Sequence, residues 1–316
     1  MKIRIGYIFV IITTLIWGIN PTMFKSLSGF SSSNVQNFFR TLMASIILYI
    51  YAKCFEEKKQ ENSKVHSIKD YLLPGIVFYA FAQLYIFGIS ISKANIASFI
   101  MSGLGPVITI VILALFIKEE RNLTKDIWVN TSIAIGFIGA LLVMLNFSGS
   151  VKYGLDFGAF IVLLGAIFWA IYTTLIRKYF SDVSPIIFCR NIIMMNCLFF
   201  FVTILCTGEL FKIGGFTLLQ IGMLLLAGVI ADAFSNITFF LGVTKVSAIK
   251  ANIIFLLAPI ISLAVTRATL NESLTTQQFI GCMLTLLASI LLSVKEFKKK
   301  NKTQEESPLK EVRIEN

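Results

Sequence analysis

The chain of 316 residues is 56% hydrophobic and only 14% charged, and its mean hydropathy is +0.81. A water-soluble domain needs far more polar surface than this, so the composition excludes a soluble globular protein. The formal charge of +11 would suit a nucleic-acid-binding protein, but the sequence carries no recognisable module that reads DNA or RNA. We therefore expect an integral membrane protein with no nucleic acid partner.

The apolar residues come in runs of about 20, the length that an α-helix needs to cross a hydrocarbon core of about 30 Å. Ten runs are predicted, with starts near Gly6, Asn34, Leu72, Ile96, Trp128, Phe157, Ile186, Leu218, Ile249 and Gln277. The predicted fold class is all-α integral membrane with ten transmembrane helices. Residues 298–316 are charged and poor in apolar side chains, so we expect a disordered cytoplasmic tail there.

The basic residues predict the orientation of the chain in the bilayer. With a cytoplasmic N-terminus, 21 of the 28 Lys and Arg residues lie on the cytoplasmic side, 5 lie on the other side, and Arg40 and Arg190 lie within spans. This distribution follows the positive-inside rule. We expect a multi-pass protein of the cell (inner or plasma) membrane with both termini in the cytoplasm, and the sequence leaves open whether it forms a homodimer.

Rare residues recur in the same order in the two halves of the chain. The recurring pairs are Trp17 and Trp169, Arg40 and Arg190, Pro106 and Pro259, and Glu119 and Glu272. The predicted halves, residues 1–148 and 149–297, each hold five spans. Because five is odd, the second half enters the membrane in the opposite direction to the first. Such inverted repeats are typical of alternating-access carriers with a solute site near the midplane of the bilayer.

Each half has a Trp in its first span, an Arg early in its second, a Pro in its fourth and a Glu shortly before Leu-Thr ahead of its fifth. In these features residues 5–295 resemble the EamA family of the drug/metabolite transporter superfamily. The resemblance implies a secondary transporter that moves a small metabolite and exports amino acids or related compounds by alternating access. The chain departs from the family at Asp232, where members more often carry a small or hydroxylated residue.

Two aromatic helix faces are the first candidates to line a solute cavity. Helical spacing places Trp17, Asn20, Pro21 and Phe24 on one face of span 1, and Trp169, Tyr172 and Thr173 on one face of span 6. Aromatic rings can cover an apolar or cationic solute while an amide orients it. The alternative is that these bulky side chains only fill gaps between helices.

Further candidates lie in the third, fourth, eighth and ninth spans. The cavity candidates there are Tyr79, Gln83, Ser102, Asn236 and Phe255. Pro106 and Pro259 each remove a backbone hydrogen bond near midspan, so with Pro21 they are hinge candidates. Small residues at helical spacing also allow close packing of helices, which is the alternative for the fourth span.

Asp232 is predicted to lie halfway along the eighth span. An ionised carboxylate there costs about 2.5–3.5 kcal/mol on insertion scales, so an unpaired acid would have to be protonated or face water. We expect Asp232 to bind solute or to couple transport to a proton. The alternative is a structural hydrogen bond to a neighbouring helix.

Four other charged residues of the repeat are expected to have structural roles. Arg40 and Arg190 lie two turns inside their spans, within reach of an interface, and could bond carbonyl groups at the ends of neighbouring helices. Glu119 and Glu272 precede the last span of each half, where an acid can stabilise the start of the following helix.

Other functional classes find little support in the sequence. An intramembrane enzyme would need a catalytic motif, but the single histidine, His66, lies in a charged loop, and neither a His-Glu-x-x-His helix nor a Walker A motif is present. We therefore predict no enzymatic activity, no cofactor and no metal. The remaining alternative is a proton-coupled, multidrug-like exporter of cationic amphipaths, which Asp232 and the two tryptophans would suit.

Overall fold

The computed structural model describes residues 2–56, 66–117, 126–146, 154–246 and 248–311. Over these residues it holds ten helices that are long and apolar enough to cross a membrane, numbered here as spans 1 to 10. The spans are Arg4–Leu27, Ser33–Phe55, Leu72–Ile91, Ala94–Phe116, Ile127–Met144, Phe157–Tyr179, Pro185–Cys206, Leu218–Val243, Lys250–Leu270 and Thr276–Val294. Each begins within two residues of its predicted start, so the ten-span, all-α prediction is confirmed.

Seven of the described spans are continuous helices. Their bounds are Lys2–Leu27, Ser33–Phe55, Leu72–Ile91, Ile127–Met144, Phe157–Tyr179, Pro185–Cys206 and Thr276–Glu311. The connections hold a one-turn helix at Glu209–Lys212, a 3-10 turn at Ile213–Gly215, and two antiparallel two-residue strands, Leu145–Asn146 and Gly154–Leu155. The last helix continues through residues 298–311, for which the sequence predicts disorder. The Lys and Glu residues of this segment have high helix propensity.

Three spans are interrupted near their middle. Their pieces are Ala94–Phe99, a π-helical turn at Ile100–Leu104 and Gly105–Phe116 in span 4; Leu218–Ala227, a π-helical turn at Gly228–Phe234 and Ser235–Val243 in span 8; and Ala248–Phe255 and Ala258–Leu270 in span 9. Pro106 and Pro259 stand in the first turn of the last piece of their spans, where a missing N–H is tolerated. Pro21 lies within the continuous helix of span 1. All three hinge roles stay predictions.

Short polar side chains cap the first helical turn of several spans. Ser32 and Asp156 each accept a hydrogen bond from a backbone N–H of the first turn of spans 2 and 6. Span 8 begins with a capping box, in which Thr217 and Gln220 bond each other's backbone N–H. These caps satisfy N–H groups that a helix leaves unpaired at its start, so the helices begin where the apolar runs begin.

The first span of each half packs on the other half. Span 1 packs on spans 8 and 9, span 6 packs on spans 3 and 4, and spans 2 and 7 and spans 5 and 10 form two further pairs. Gly139 and Gly281 mark the closest approach of spans 5 and 10, because a Cβ on either residue would lie 2.7 Å from the carbonyl oxygen of the other. We call spans 1, 2, 8 and 9 the first group and spans 3, 4, 6 and 7 the second group.

The ten alternating spans give the bundle two ends. The terminal end holds the start of span 1 and the end of span 10. The distal end holds the connections between spans 1 and 2, 3 and 4, 5 and 6, 7 and 8, and 9 and 10.

Gly228, at the start of the π-helical turn of span 8, is where that span packs on span 2. A Cβ at this position would lie 2.5 Å from the carbonyl oxygen of Arg40 and 2.9 Å from its Cα. Gly228→Ala should therefore force spans 2 and 8 apart and lower stability by about 1–3 kcal/mol, as overpacking does. Thermal unfolding of the purified protein checks this prediction. Gly222→Ala in the same span is the matched control, since its Cβ would meet nothing within 4 Å. Equal stability of the two variants would contradict the prediction.

Candidate solute-binding site

Polar contacts join the two groups at the distal end. The carboxylate of Glu272 accepts hydrogen bonds from the backbone N–H groups of Ala94 (3.0 Å) and Asn95 (3.3 Å), at the start of span 4. The Nζ of Lys93 donates to the carbonyl oxygen of Ser273 at 2.6 Å. The expectation that Glu272 stabilises the helix that follows it is therefore wrong: the acid caps a helix of the other half, whose N-terminus carries the same favourable partial charge. Glu119 lies outside the described residues.

A second set of distal contacts runs from spans 1 and 2 to span 3. The Nζ of Lys25 donates to the carbonyl oxygens of Ser90 (2.8 Å) and Ser92 (2.7 Å). The Nδ2 of Asn37 donates to the carbonyl oxygen of Ala82 at 3.2 Å. The distal end is thus held together by contacts from several spans of both groups.

The terminal halves of spans 4 and 9 behave differently. Among the described residues, Gly105–Phe116 and Ala248–Phe255 do not pack extensively on each other, and neither packs extensively on the spans of the opposite group. A Cβ on Gly105 would meet nothing within 4 Å, and Pro106 beside it is exposed. The groups still meet at this end along spans 2 and 7, where Oγ of Ser184 donates to Oε2 of Glu56 at 2.9 Å. Spans 4 and 9 are therefore joined at the distal end and apart at the terminal end.

The two predicted tryptophans lie in different ring clusters, one in each group, whereas Phe24 of the same span 1 face packs on Tyr85 of span 3 at 6.3 Å between ring centroids. The ring of Trp17 lies 5.1 Å from Phe239 and 5.0 Å from Phe255, measured between ring centroids. Trp169 lies 4.9 Å from Phe81 and 5.5 Å from Tyr172. Both tryptophans are half-buried, whereas Tyr172 is only 5% exposed. The tryptophans therefore remain the more accessible cavity candidates, and the cavity-lining role stays a prediction.

The other predicted cavity residues occupy varied positions. Asn20 is buried one turn from Trp17, and Ser102 is half-buried in the π-helical turn of span 4. The hydroxyl of Tyr79 lies 2.8 Å from the hydroxyl of Thr203 in span 7, so this side chain points within the second group. Asn236 donates from its Nδ2 to the backbone carbonyl of Asp232 at 2.6 Å.

Asp232 lies in the π-helical turn of span 8 and forms a two-pronged ion pair with Arg40 of span 2. The Nη2 and Nε of Arg40 donate to its two carboxylate oxygens at 2.8 and 2.9 Å. The side chains of Arg40 and Asp232 are 10% and 14% exposed, so the pair is nearly but not fully enclosed. The expectation that Arg40 bonds carbonyl groups at a helix end is wrong, because an acid deep in span 8 lies within its reach.

Amide side chains extend this ion pair towards the distal end. The Nη1 of Arg40 donates to Oδ1 of Asn37 at 3.4 Å, and the Nδ2 of Asn37 donates to Oε1 of Gln83 at 3.3 Å. The Nε2 of Gln83 in turn donates to Oγ of Ser33 at 2.8 Å. Gln83 was predicted to be near the cavity, but Asn37 and the role of Arg40 were not. The sequence feature that could have indicated the pair is that Arg40 and Asp232 carry opposite charges within spans, where burying either charge alone is unfavourable.

Arg40 is also held from a second direction. Its guanidinium carbon lies 4.0 Å from the centroid of the Phe24 ring in span 1, a cation–π contact. Span 1, span 2 and span 8 therefore fix the position of one guanidinium group. The arrangement can hold a polar or charged solute between hydrogen-bond donors and acceptors inside the bundle.

Two halves of five spans, interrupted helices at matching positions and a charged pair enclosed within the bundle define a multi-pass membrane transporter. The chain belongs to the EamA-like transporter family, which matches residues 4–145 and 156–294.

Individual relatives agree with this assignment at the level of the family. The chain is 22% identical over 292 residues to the uncharacterized transporter YyaM of Bacillus subtilis, covering 91% of this chain and 93% of the relative. It is 25% identical over 306 residues to an uncharacterized transporter of Clostridium kluyveri, covering 90% and 92%. A solved crystal structure with 11% identity aligns with a TM-score of 0.61 over 93% of this chain and 96% of the other. This last similarity concerns the fold alone.

Proposed function

We propose that the protein is a secondary transporter that exports amino acids or related small metabolites across the cell membrane by alternating access. The observation that carries the proposal is the unequal packing of spans 4 and 9, which are joined at the distal end and apart at the terminal end. The distribution of Lys and Arg predicts that the terminal end is cytoplasmic. In that orientation spans 4 and 9 would be apart on the side from which an exporter takes up its solute.

The ion pair favours amino acids over the cationic amphipaths of the alternative reading. A purely cationic solute that displaced Arg40 from Asp232 would leave the guanidinium buried without a counter-charge. Such a charge is strongly unfavourable in a low-dielectric interior. We propose transport without catalysis. The single histidine, His66, bonds Asp182 at 3.2 Å in the loops of the terminal end, apart from this pair.

Counterflow in proteoliposomes tests the function. Vesicles containing the purified protein and loaded with an unlabelled amino acid mixture should take up labelled amino acids faster than empty vesicles, because a carrier exchanges solute across its alternating site. Quaternary amines should not be exchanged. Absence of amino acid counterflow, or a unitary conductance in planar bilayers, would contradict the proposal.

The same vesicles test coupling at Asp232. If this carboxyl carries a proton during transport, an imposed pH gradient should drive uptake in the natural protein, and Asp232→Asn should abolish that pH dependence. The variant must first be shown to fold by thermal unfolding. Unchanged flux and pH dependence in a folded variant would rule out the coupling role.

A further inference from the structure

We infer that the Arg40–Asp232 pair is the recognition site for a zwitterion, whose carboxylate and ammonium groups each replace one member of the pair. This inference rests on the proposed transport of small metabolites and adds the residues and the charge pattern by which the solute is recognised. The solute's carboxylate would take the place of Asp232 on the guanidinium. Its ammonium would take the place of Arg40 on the Asp232 carboxylate.

The geometry leaves room for such an exchange to begin. A guanidinium has five N–H donors, of which Arg40 uses two on Asp232 and one on Asn37. A carboxylate can accept about four hydrogen bonds, and Arg40 supplies two of those of Asp232. Both side chains are slightly exposed. A solute can therefore bond each member before the pair separates.

The two members of the pair are held differently. Arg40 also contacts Asn37 of its own helix and the Phe24 ring, so two of its contacts do not depend on Asp232. Asp232 lies in the π-helical turn Gly228–Phe234, an irregularity that helices often carry at functional sites. Movement of this turn would let the acid part from Arg40 while the guanidinium stays in place.

A zwitterion is selected because it gives both Arg40 and Asp232 an oppositely charged partner. With a zwitterion bound, every charge still has a partner, and the net charge of the site is unchanged. An amine without a carboxylate leaves Arg40 unpaired, and a carboxylate without an ammonium leaves Asp232 unpaired. Sites built to bond a polar group reject analogues that lack it strongly, because their own buried groups lose a partner.

The pair is not a requirement of the repeated fold. Arg190 occupies the corresponding place in the second half, yet span 3, the counterpart of span 8, contains no acidic residue. The contacts of Arg190 include Oδ1 of the adjacent Asn191 at 3.0 Å and the ring of Tyr49 at 6.0 Å. Asp232 therefore has no counterpart in the matching span of the other half, which favours a role that the shared fold does not require.

Matched ligands test the inference on the natural full-length protein. Leucine is compared with 3-methylbutylamine, which lacks the carboxylate, and with 4-methylpentanoate, which lacks the ammonium. Serine and phenylalanine are compared with their corresponding amines and acids in the same way. Binding is measured by ligand-induced thermal stabilisation, and exchange by competition in the counterflow assay. We expect at least one zwitterion to bind about a hundredfold or more tightly than both of its singly charged analogues. Equal affinity within every set would overturn the inference.

Variants then assign the two charges to the two residues. Asp232→Asn should lose the requirement for the ammonium, and Arg40→Gln the requirement for the carboxylate, each shown by the ratio of affinities within a ligand set. Arg190→Gln is the control and should leave these ratios unchanged. A pair with only a structural role would weaken all three ligands alike. If amino acids show counterflow but the affinity ratios within a ligand set are the same in both variants as in the natural protein, this inference is contradicted and the proposed function stands. If amino acids show neither binding nor counterflow, the proposed function itself is contradicted.

Discussion

Replacing Arg40 by Met and Asp232 by Leu in one protein should leave its folding stability unchanged or raise it, whereas either replacement alone should lower the free energy of unfolding by about 3–5 kcal/mol. A single replacement leaves one charge buried without a partner. The double replacement removes both charges and both desolvation costs, and apolar side chains of spans 1, 2 and 8, such as Phe24, Ala44 and Ala233, are already buried in this part of the bundle. Unfolding of the purified variants in mixed micelles measures these differences.

The same double variant separates folding from transport. It should insert and fold like the natural protein but fail to exchange amino acids, because the site that would recognise them is gone. Lys212→Met, at an exposed position of the distal end, controls for the general effect of losing a charge and should change stability by less than about 0.5 kcal/mol. A double variant as unstable as the single ones would mean that the pair is part of the fold.

The sequence predicts the fold of this protein well because the membrane requires each spanning helix, taken separately, to be long, apolar and internally hydrogen-bonded. Length and hydropathy locate all ten spans, and the recurrence of Trp17 and Pro106 as Trp169 and Pro259 indicates the two halves. The prolines also mark two of the three interrupted spans. All of these are local signals, which a single span carries without reference to its neighbours.

The candidate site depends on contacts between spans and was predicted only in part. Asp232 stood out as an acid within a span, but its partner Arg40 lies 192 residues away and was expected at a helix end. The interruption of span 8 also has no proline to indicate it, because its π-helical turn Gly228–Phe234 contains a glycine and Asp232 but no proline. Pairing of this kind depends on how the two halves pack on each other. The periodicity of residues along one helix gives no information about that packing.

Glu272→Gln should loosen the distal end of the bundle. The carboxylate bonds the first two N–H groups of span 4 across the boundary between the groups, and replacing it by an amide removes the charge that favours a helix N-terminus. A loss of about 1–2 kcal/mol changes the ratio of two states by a factor of about 5–30. The distally open state should therefore become more populated by that factor.

Thiol labelling in nanodiscs measures this shift. Ser98 is buried one turn below the contact of Glu272 with Asn95, so a Ser98→Cys variant, made after the five native cysteines are replaced, should react slowly with a membrane-impermeant maleimide. Adding Glu272→Gln should raise the rate about 5–30-fold. Glu209→Gln is the matched control, since among the described residues Oε2 of Glu209 accepts no hydrogen bond although it lies at the same end. In the proposed alternating-access cycle, the distal contact belongs to the state that takes up solute from the terminal end. Glu272→Gln should therefore also slow net transport of solute from that end. Labelling at the control rate would mean that Glu272 caps span 4 without holding the two groups together.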